Sequence, residues 1–333
     1  MLFDILLFVL GLIFILISAE VFTNGVEALG HRLNLSTNFT GSVLAAVGTA
    51  LPETILPIIA VLFFAEGKGH EIGVGAILGA PFMLATLAFP LIGITVLLGY
   101  FLLKKRDLEL HIETIGFRRD MVFFLFAYSI ALFIVPFENH TLRIFTAIFL
   151  IGLYVLYVML TLKGKSNEME AVEKLYFSPN NPHPHIIIII SQVVVALIVM
   201  ISGAHMFVSG IEKISLHFGF PALLFSLIVA PIATELPEKA NSIYWIFRKK
   251  DSLAIGNVSG AMVFQSTLPV SFGIVFTEWN ITGLALVSGI FAIMAGFLAL
   301  TLSYVEKRLI PFGLTIGGIF YIVYLYLAVK EFV

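Results

Sequence analysis

Ten apolar runs follow one another along the chain, at residues 2–29, 39–65, 71–102, 120–137, 140–162, 186–212, 220–247, 252–277, 281–303 and 309–330. Each is long enough for a helix to cross about 30 Å of hydrocarbon. No water reaches that layer, so the backbone has to satisfy its own hydrogen bonds, and a helix does so within a single segment. The expected fold is an all-α integral membrane protein with ten transmembrane helices embedded in a lipid bilayer. Composition agrees: 59% of residues are hydrophobic and 12% charged, against roughly 25% charged in soluble domains. Several runs are long and contain Gly or Pro, so tilted or broken helices are expected rather than straight rods.

What the sequence lacks narrows the function. A net charge of −2 without a long basic run gives no reason to expect a nucleic-acid partner. The absence of cysteine excludes disulfides and thiolate metal sites. Residues 1–20 lack a basic leader and an A-x-A site, and their apolar run is longer than a signal core, so they read as the first span. No HExxH or G-x-S-x-G motif is present, so no enzyme chemistry and no cofactor are expected.

The clearest linker is 163–185, where charge rises and Asn and Pro cluster. It divides the chain into five helices (1–162), a cytoplasmic linker (163–185) and five more helices (186–333). With both termini outside, 14 of the 19 Lys and Arg fall on the cytoplasmic side: Arg32, Lys104, Lys105, Arg106, Arg118, Arg119, Lys163, Lys165, Lys174, Arg248, Lys249, Lys250, Lys307 and Arg308. Lys68, Arg143, Lys213 and Lys330 remain outside, and Lys239 lies within a helix. The excess of cytoplasmic positive charge favours this orientation, in a plasma (cell) membrane. An odd number of helices per half then requires the halves to be inverted.

The two halves also resemble each other in sequence. One shift brings Phe22, Gly25 and Glu27 onto Phe207, Gly210 and Glu212, and Thr49, Leu51, Pro52 and Glu53 onto Thr234, Leu236, Pro237 and Glu238. A shorter loop in the second half then overlays Gly75, Gly79, Thr86 and Leu87 on Gly256, Gly260, Thr267 and Leu268. Inverted repeats with interrupted helices at matching positions mark secondary transporters, whose substrate site lies near the midplane.

The repeated T-x-L-P-E element carries the chemistry. Charge inside the membrane is costly, roughly 3 kcal/mol per residue on insertion scales. A proline removes a backbone hydrogen bond, so Pro52 and Pro237 are expected to leave carbonyls near 48–49 and 233–234 free. Each is followed by a carboxylate, Glu53 or Glu238, with Thr49 or Thr234 one turn earlier. Hard cations such as Ca²⁺ take roughly six to eight oxygen ligands of these kinds. Two facing copies would therefore make a cation site.

The chain resembles the calcium/cation antiporter superfamily, specifically the membrane domain of Na⁺/Ca²⁺ exchangers. The paired signature G-T-S-x-P-E appears as Gly48-Thr49-Ala50-Leu51-Pro52-Glu53 and Ala233-Thr234-Glu235-Leu236-Pro237-Glu238. The resemblance implies an antiporter taking Ca²⁺ or a similar divalent cation, with Na⁺ as counter-ion and H⁺ as the alternative. It implies that the second, third, seventh and eighth helices form a core across which the first and sixth slide. The family's G-S-N or G-S-D element is replaced by Ala80-Pro81 and Ala261-Met262, which offer no side-chain oxygen. Glu235 stands where the family usually has a small hydroxyl residue and would restore a third acid, while Gln265 and Asn257 are candidate replacement ligands.

Other roles stay open for several of these residues. Glu235 has Lys239 one turn later and could form an ion pair instead of ligating. Burial and the charge of Glu238 favour a protonated Glu235, and Lys239 a charged one. Thr49 and Thr234 could bond back to their own helix. Glu20 and His205 fit gating or packing, and Glu27 and Glu212 fit helix ends in water. The glycines at 75, 79, 256 and 260 fit close helix packing. A cation channel could use the same carboxylates. The oligomeric state is open.

Overall fold

Helices alone make up the regular structure among the described residues of the computed structural model, which are 2–33, 50–64, 66–135, 139–162, 174–181, 184–308 and 310–332. In chain order they are α1 (Leu2–Arg32), α2 (Leu51–Phe63), α3 (Gly69–Met83), a π-helical turn (Leu84–Ala88), α4 (Phe89–Phe101), α5 (Thr114–Phe133), α6 (His140–Leu162) and α7 (Ile186–Phe218). The second part continues with α8 (Ala222–Thr234), α9 (Leu236–Phe247), α10 (Asp251–Gln265), α11 (Leu268–Phe276), α12 (Gly283–Leu302) and α13 (Ile310–Phe332).

Among these residues, seven helices are long and apolar enough to cross a membrane: Leu2–Arg32, Gly69–Phe101, His140–Leu162, Ile186–Phe218, Asp251–Phe276, Gly283–Leu302 and Ile310–Glu331. The expected ten therefore do not appear as ten continuous spans among the described residues. Residues 220–247 are interrupted at Glu235, which separates α8 from α9. The run 39–65 is described only from Ala50 onward. The run expected at 120–137 is displaced to Thr114–Phe133, where Arg118, Arg119 and Asp120 dilute the apolar surface. α3 and α4 form one rod through the π turn, and α10 and α11 one rod broken at Ser266 and Thr267.

Two apolar cores hold the bundle. The larger draws on α3 to α6 and α10 to α13, around Phe82, Phe89, Phe124, Tyr128, Met262 and Trp279. The smaller joins α1 and α7 to α2, α3 and α8 through Ile15, Phe22, Leu56, Ile72, Ala76, Phe207 and Ala230. Outward faces of α1, α6 and α13 expose residues such as Val9, Ile17, Phe145, Phe149, Ile319 and Ile322, as suits helices bordered by lipid.

α1 and α7 pack backbone to backbone. A Cβ added at Gly11 would lie 2.6 Å from Phe207 N, and one at Gly203 would lie 3.0 Å from Gly11 O. Gly75 and Gly79 likewise press α3 against the Leu223 and Leu227 carbonyls of α8, and Ser226 Oγ donates to Ile72 O at 2.8 Å across that contact. The segment that the repeat would set against Gly256 and Gly260 lies outside the described residues. Among the described residues a Cβ at Gly256 meets nothing, and one at Gly260 meets only Tyr157 OH, at 3.6 Å. The counterparts of Leu223 to Leu227 in the sequence repeat fall within 34–49, outside the described residues.

At one end, the buried Arg106 guanidinium grips Asp251 through two hydrogen bonds, 2.9 and 3.1 Å, and donates to Ile246 O at 2.8 Å. Asp251 sits in the first turn of α10, where a negative charge also suits the helix dipole. At the other end, Arg143 Nε donates to Ile274 O at 2.9 Å near the end of α11.

If the α1 to α7 contact depends on absent side chains, Gly203→Val should destabilise the protein by about 1–3 kcal/mol through overpacking. Gly152→Ala, at a position open to 4 Å, should not. Thermal melting of the two variants in the same detergent checks this.

Candidate functional site

The site is built on two helix starts with the same local sequence. Ala50 precedes α2 with φ −87° and ψ 6°, and Glu235 precedes α9 with φ −91° and ψ 10°. Leu-Pro-Glu follows in both. The prolines thus occupy the first turn of a new helix, where a missing N–H costs nothing. They do not kink a continuous one, which corrects the expectation for Pro237 drawn from the sequence. Glu53 and Glu238 then fall in the first turn, at the positive end of the helix dipole.

All three glutamates are buried, Glu53 at 5%, Glu235 at 0% and Glu238 at 4% exposure, and Lys239 lies among them at 6%. Glu53 is within electrostatic reach of Glu238, Glu235 and Lys239, so the first-half acid and the second-half acids share one region. Among the described residues, both Glu53 carboxylate oxygens, Glu238 Oε2 and Gln265 Oε1 are buried without a hydrogen-bond partner. Buried acceptors of this kind are costly unless something positive faces them. Beside them lies a cavity of about 10 Å³ lined by Glu53, Leu56, Ala76, Ala230, Pro231 and Thr234, a space on the scale of one water molecule.

Lys239 is the resident positive charge. Its Nζ forms an ion pair with Glu235 Oε2 at 3.1 Å and donates to Pro231 O at 3.1 Å. Glu235 Oε1 accepts from Gln265 Nε2 at 3.4 Å. Of the two roles open to Glu235, the described geometry shows the ion pair. Among the described residues no group of three or more His, Asp or Glu side chains is gathered tightly enough to hold a metal ion.

The remaining residues singled out in the sequence fall around this centre. Thr234 lines the cavity, and its hydroxyl donates to Ala230 O at 3.1 Å, which leaves oxygen lone pairs free. Thr49 lies outside the described residues. Asn257 donates to Glu238 O at 3.4 Å and lies 3.5 Å from Ser242 Oγ, tying α10 to α9. Thr267 donates to Val263 O at 2.7 Å and Thr86 to Phe82 O at 2.6 Å, at matched positions of the repeat.

Several polar groups play parts that the sequence did not reveal. Asp120 is buried and accepts from Ser259 at 2.7 Å, joining α5 to α10. At the start of the run 120–137 it had no role assigned from the sequence. Glu212 is half-buried and accepts from Lys68 N at 2.9 Å, holding the turn before α3. Glu20 accepts from Tyr176 OH at 2.6 Å, and the exposed His205 lies beside Phe63 and Phe64, both outside the carboxylate centre.

The model of the family described as "Sodium/calcium exchanger protein" matches the chain over residues 3–163 and again over 188–330. The chain belongs to the sodium/calcium exchanger family. It is thereby a member of the calcium/cation antiporter superfamily, whose exchangers move Ca²⁺ against Na⁺ or H⁺ across membranes, and it is a multi-pass integral membrane antiporter. CaxA of Alkalimonas amylolytica is 25% identical over 315 residues, covering 88% of this chain and 86% of that protein. Inner membrane protein YrbG of Escherichia coli is 25% identical over 301 residues, covering 86% and 87%. In fold, the chain is similar to an H⁺/Ca²⁺ exchanger, CAX (TM-score 0.67, 18% identity, 99% of this chain and 89% of that one). It is also similar to the sodium-calcium exchanger NCX_Mj soaked with Na⁺ and Sr²⁺ (TM-score 0.58, 20% identity, 97% of each chain).

If the orphaned oxygens are cation ligands, Ca²⁺ at a hundred times its dissociation constant should stabilise the protein by about 2.7 kcal/mol. Glu53→Gln and Glu238→Gln should each fold and lose that gain. Thermal melting with and without Ca²⁺ reads both; a full Ca²⁺ response in either variant removes that residue from the site.

Proposed function

We propose that the protein is a secondary active antiporter exchanging Ca²⁺, or a similar divalent cation, for Na⁺ by alternating access. The observation that carries this reading is the set of buried carboxylate oxygens without donors at two matching helix starts. Glu53 and Glu238 hold the cation as charged ligands. Thr49 and Thr234 add hydroxyl oxygen, Gln265 contributes its unpaired carbonyl oxygen, and Asn257 positions the α9 backbone. Glu235 completes the acidic set while facing Lys239. The similarity to an H⁺/Ca²⁺ exchanger makes H⁺ the alternative counter-ion. The transported ions pass through unchanged, so the protein is not an enzyme and needs no cofactor.

Ten helices in two inverted five-helix halves, 1–162 and 186–333, complete the reading. Its support is the family match to each half, the matched backbone at Ala50 and Glu235 and the matched hydroxyl bonds of Thr86 and Thr267. The exchange of partners between the halves also fits, since α4 packs on α13 and α11 on α6. The small core around α1 and α7, distinct from the larger one, suits a pair that slides over the rest to open the site to each side in turn.

The test is ⁴⁵Ca²⁺ uptake into proteoliposomes. Uptake should require Na⁺ on the opposite side and saturate at low turnover. Uptake driven by a pH gradient alone would assign H⁺, and uptake without any counter-ion would indicate a channel. Orientation is tested separately. Because the chain has no cysteine, Ser166→Cys and Lys250→Cys should react with an impermeant thiol reagent only from the cytoplasmic side, and Asn139→Cys only from outside. The reverse pattern would overturn the placement of both termini outside.

A further inference from the structure

Lys239 is placed against the ordinary preference of a helix. It lies in the opening turns of α9, where the dipole disfavours positive charge, and it is buried at 6% exposure. Nothing in helix formation calls for it there. Its two partners are the Glu235 carboxylate and the Pro231 carbonyl, each at 3.1 Å. A hard metal cation takes the same two kinds of oxygen, so Lys239 is chemically a monovalent cation on a tether. Glu235 and Lys239 both belong to the start of α9, one turn apart, so the pair travels together whatever the helix does.

Among the described residues, the charges that act most strongly on Glu53 are those of Glu238, Glu235 and Lys239. Residues 34–49, which lead into α2, contain no Asp, Glu, Lys or Arg. Three carboxylates and one ammonium therefore leave two negative charges for the cargo when the site is loaded. Resting on the antiporter reading above, we propose that Lys239 is a resident cation of the transport site, standing permanently in place of one monovalent ion. The site then loads one divalent cation or two monovalent ones, and the cycle moves no net charge.

The experiment compares purified wild type, Lys239→Gln, Glu235→Gln and the double variant Glu235→Gln/Lys239→Gln. Ca²⁺ affinity is read by ⁴⁵Ca²⁺ binding, and the number of Na⁺ bound by the slope of thermal stabilisation against log[Na⁺] without Ca²⁺. Glu235→Gln leaves an uncancelled ammonium beside the site and should weaken Ca²⁺ binding on the order of a hundredfold. The double variant should bind Ca²⁺ within about threefold of wild type, since both members of the cancelling pair are gone. Lys239→Gln should bind one more Na⁺ than wild type, and the double variant the same number as wild type. If either single variant fails to fold, the double variant decides alone: loss of its Ca²⁺ binding overturns the proposal, as does an unchanged Na⁺ count in a folded Lys239→Gln. A wild-type Ca²⁺ flux that follows an imposed membrane potential would also overturn it. Wild-type protein that binds neither Ca²⁺ nor Na⁺ would instead overturn the antiporter reading on which it rests.

Discussion

Burying carboxylates in an apolar bundle is the constraint that organises this structure. An ionised group removed from water costs several kcal/mol even after relaxation, and more when another like charge stands nearby. The chain meets that cost in two ways. Glu53 and Glu238 sit in the first turn of α2 and α9, where backbone N–H groups point toward negative charge. Glu235, one residue earlier than α9 and fully buried, faces a lysine instead. The acceptor oxygens that remain unpaired among the described residues suit the proposed cargo, a small cation with a liking for oxygen.

Interrupted helices are what bring these groups inward. A continuous rod through residues 220–247 would spend the same backbone groups on itself. Ending α8 at Thr234 and starting α9 at Leu236 turns a helix end toward the interior, and Pro237 makes the restart inexpensive. The break between α10 and α11 follows Gln265, which donates to Glu235, and Thr267 and Thr86 bond back to their own helices at matched positions of the repeat. Around this irregular middle, the glycine contacts of α1 with α7 and of α3 with α8 let backbones approach closely. Small residues give packing of this kind without interlocked side chains.

Much of this was legible in the sequence, and the omissions have physical causes. Apolar length found the helices, because a membrane permits few alternatives, and a repeated Leu-Pro-Glu pointed to both carboxylates while placing its prolines inside apolar runs rather than at helix starts. Periodicity could not say that Glu235 would be a one-residue interruption, since a proline two positions on is equally compatible with a kink. The partner of Glu235 was visible as an i, i+4 lysine, but whether that lysine points inward or snorkels depends on neighbours distant in sequence. Asp120 had no role assigned from the sequence, and its role appears only once Ser259 of α10 is placed 2.7 Å away. Gly256 and Gly260 share a pattern with Gly75 and Gly79, and the segment that the repeat would set against them, 34–49, lies outside the described residues.

The most direct test of the carboxylate site is anomalous diffraction from crystals of the protein soaked in Sr²⁺, a heavier stand-in for Ca²⁺ with the same preference for oxygen. The expected result is one strong peak between Glu53 and Glu238, next to Thr234, with Lys239 still on Glu235. A Sr²⁺ peak elsewhere in the bundle, with the Glu53 and Glu238 oxygens bound to nothing, would contradict it.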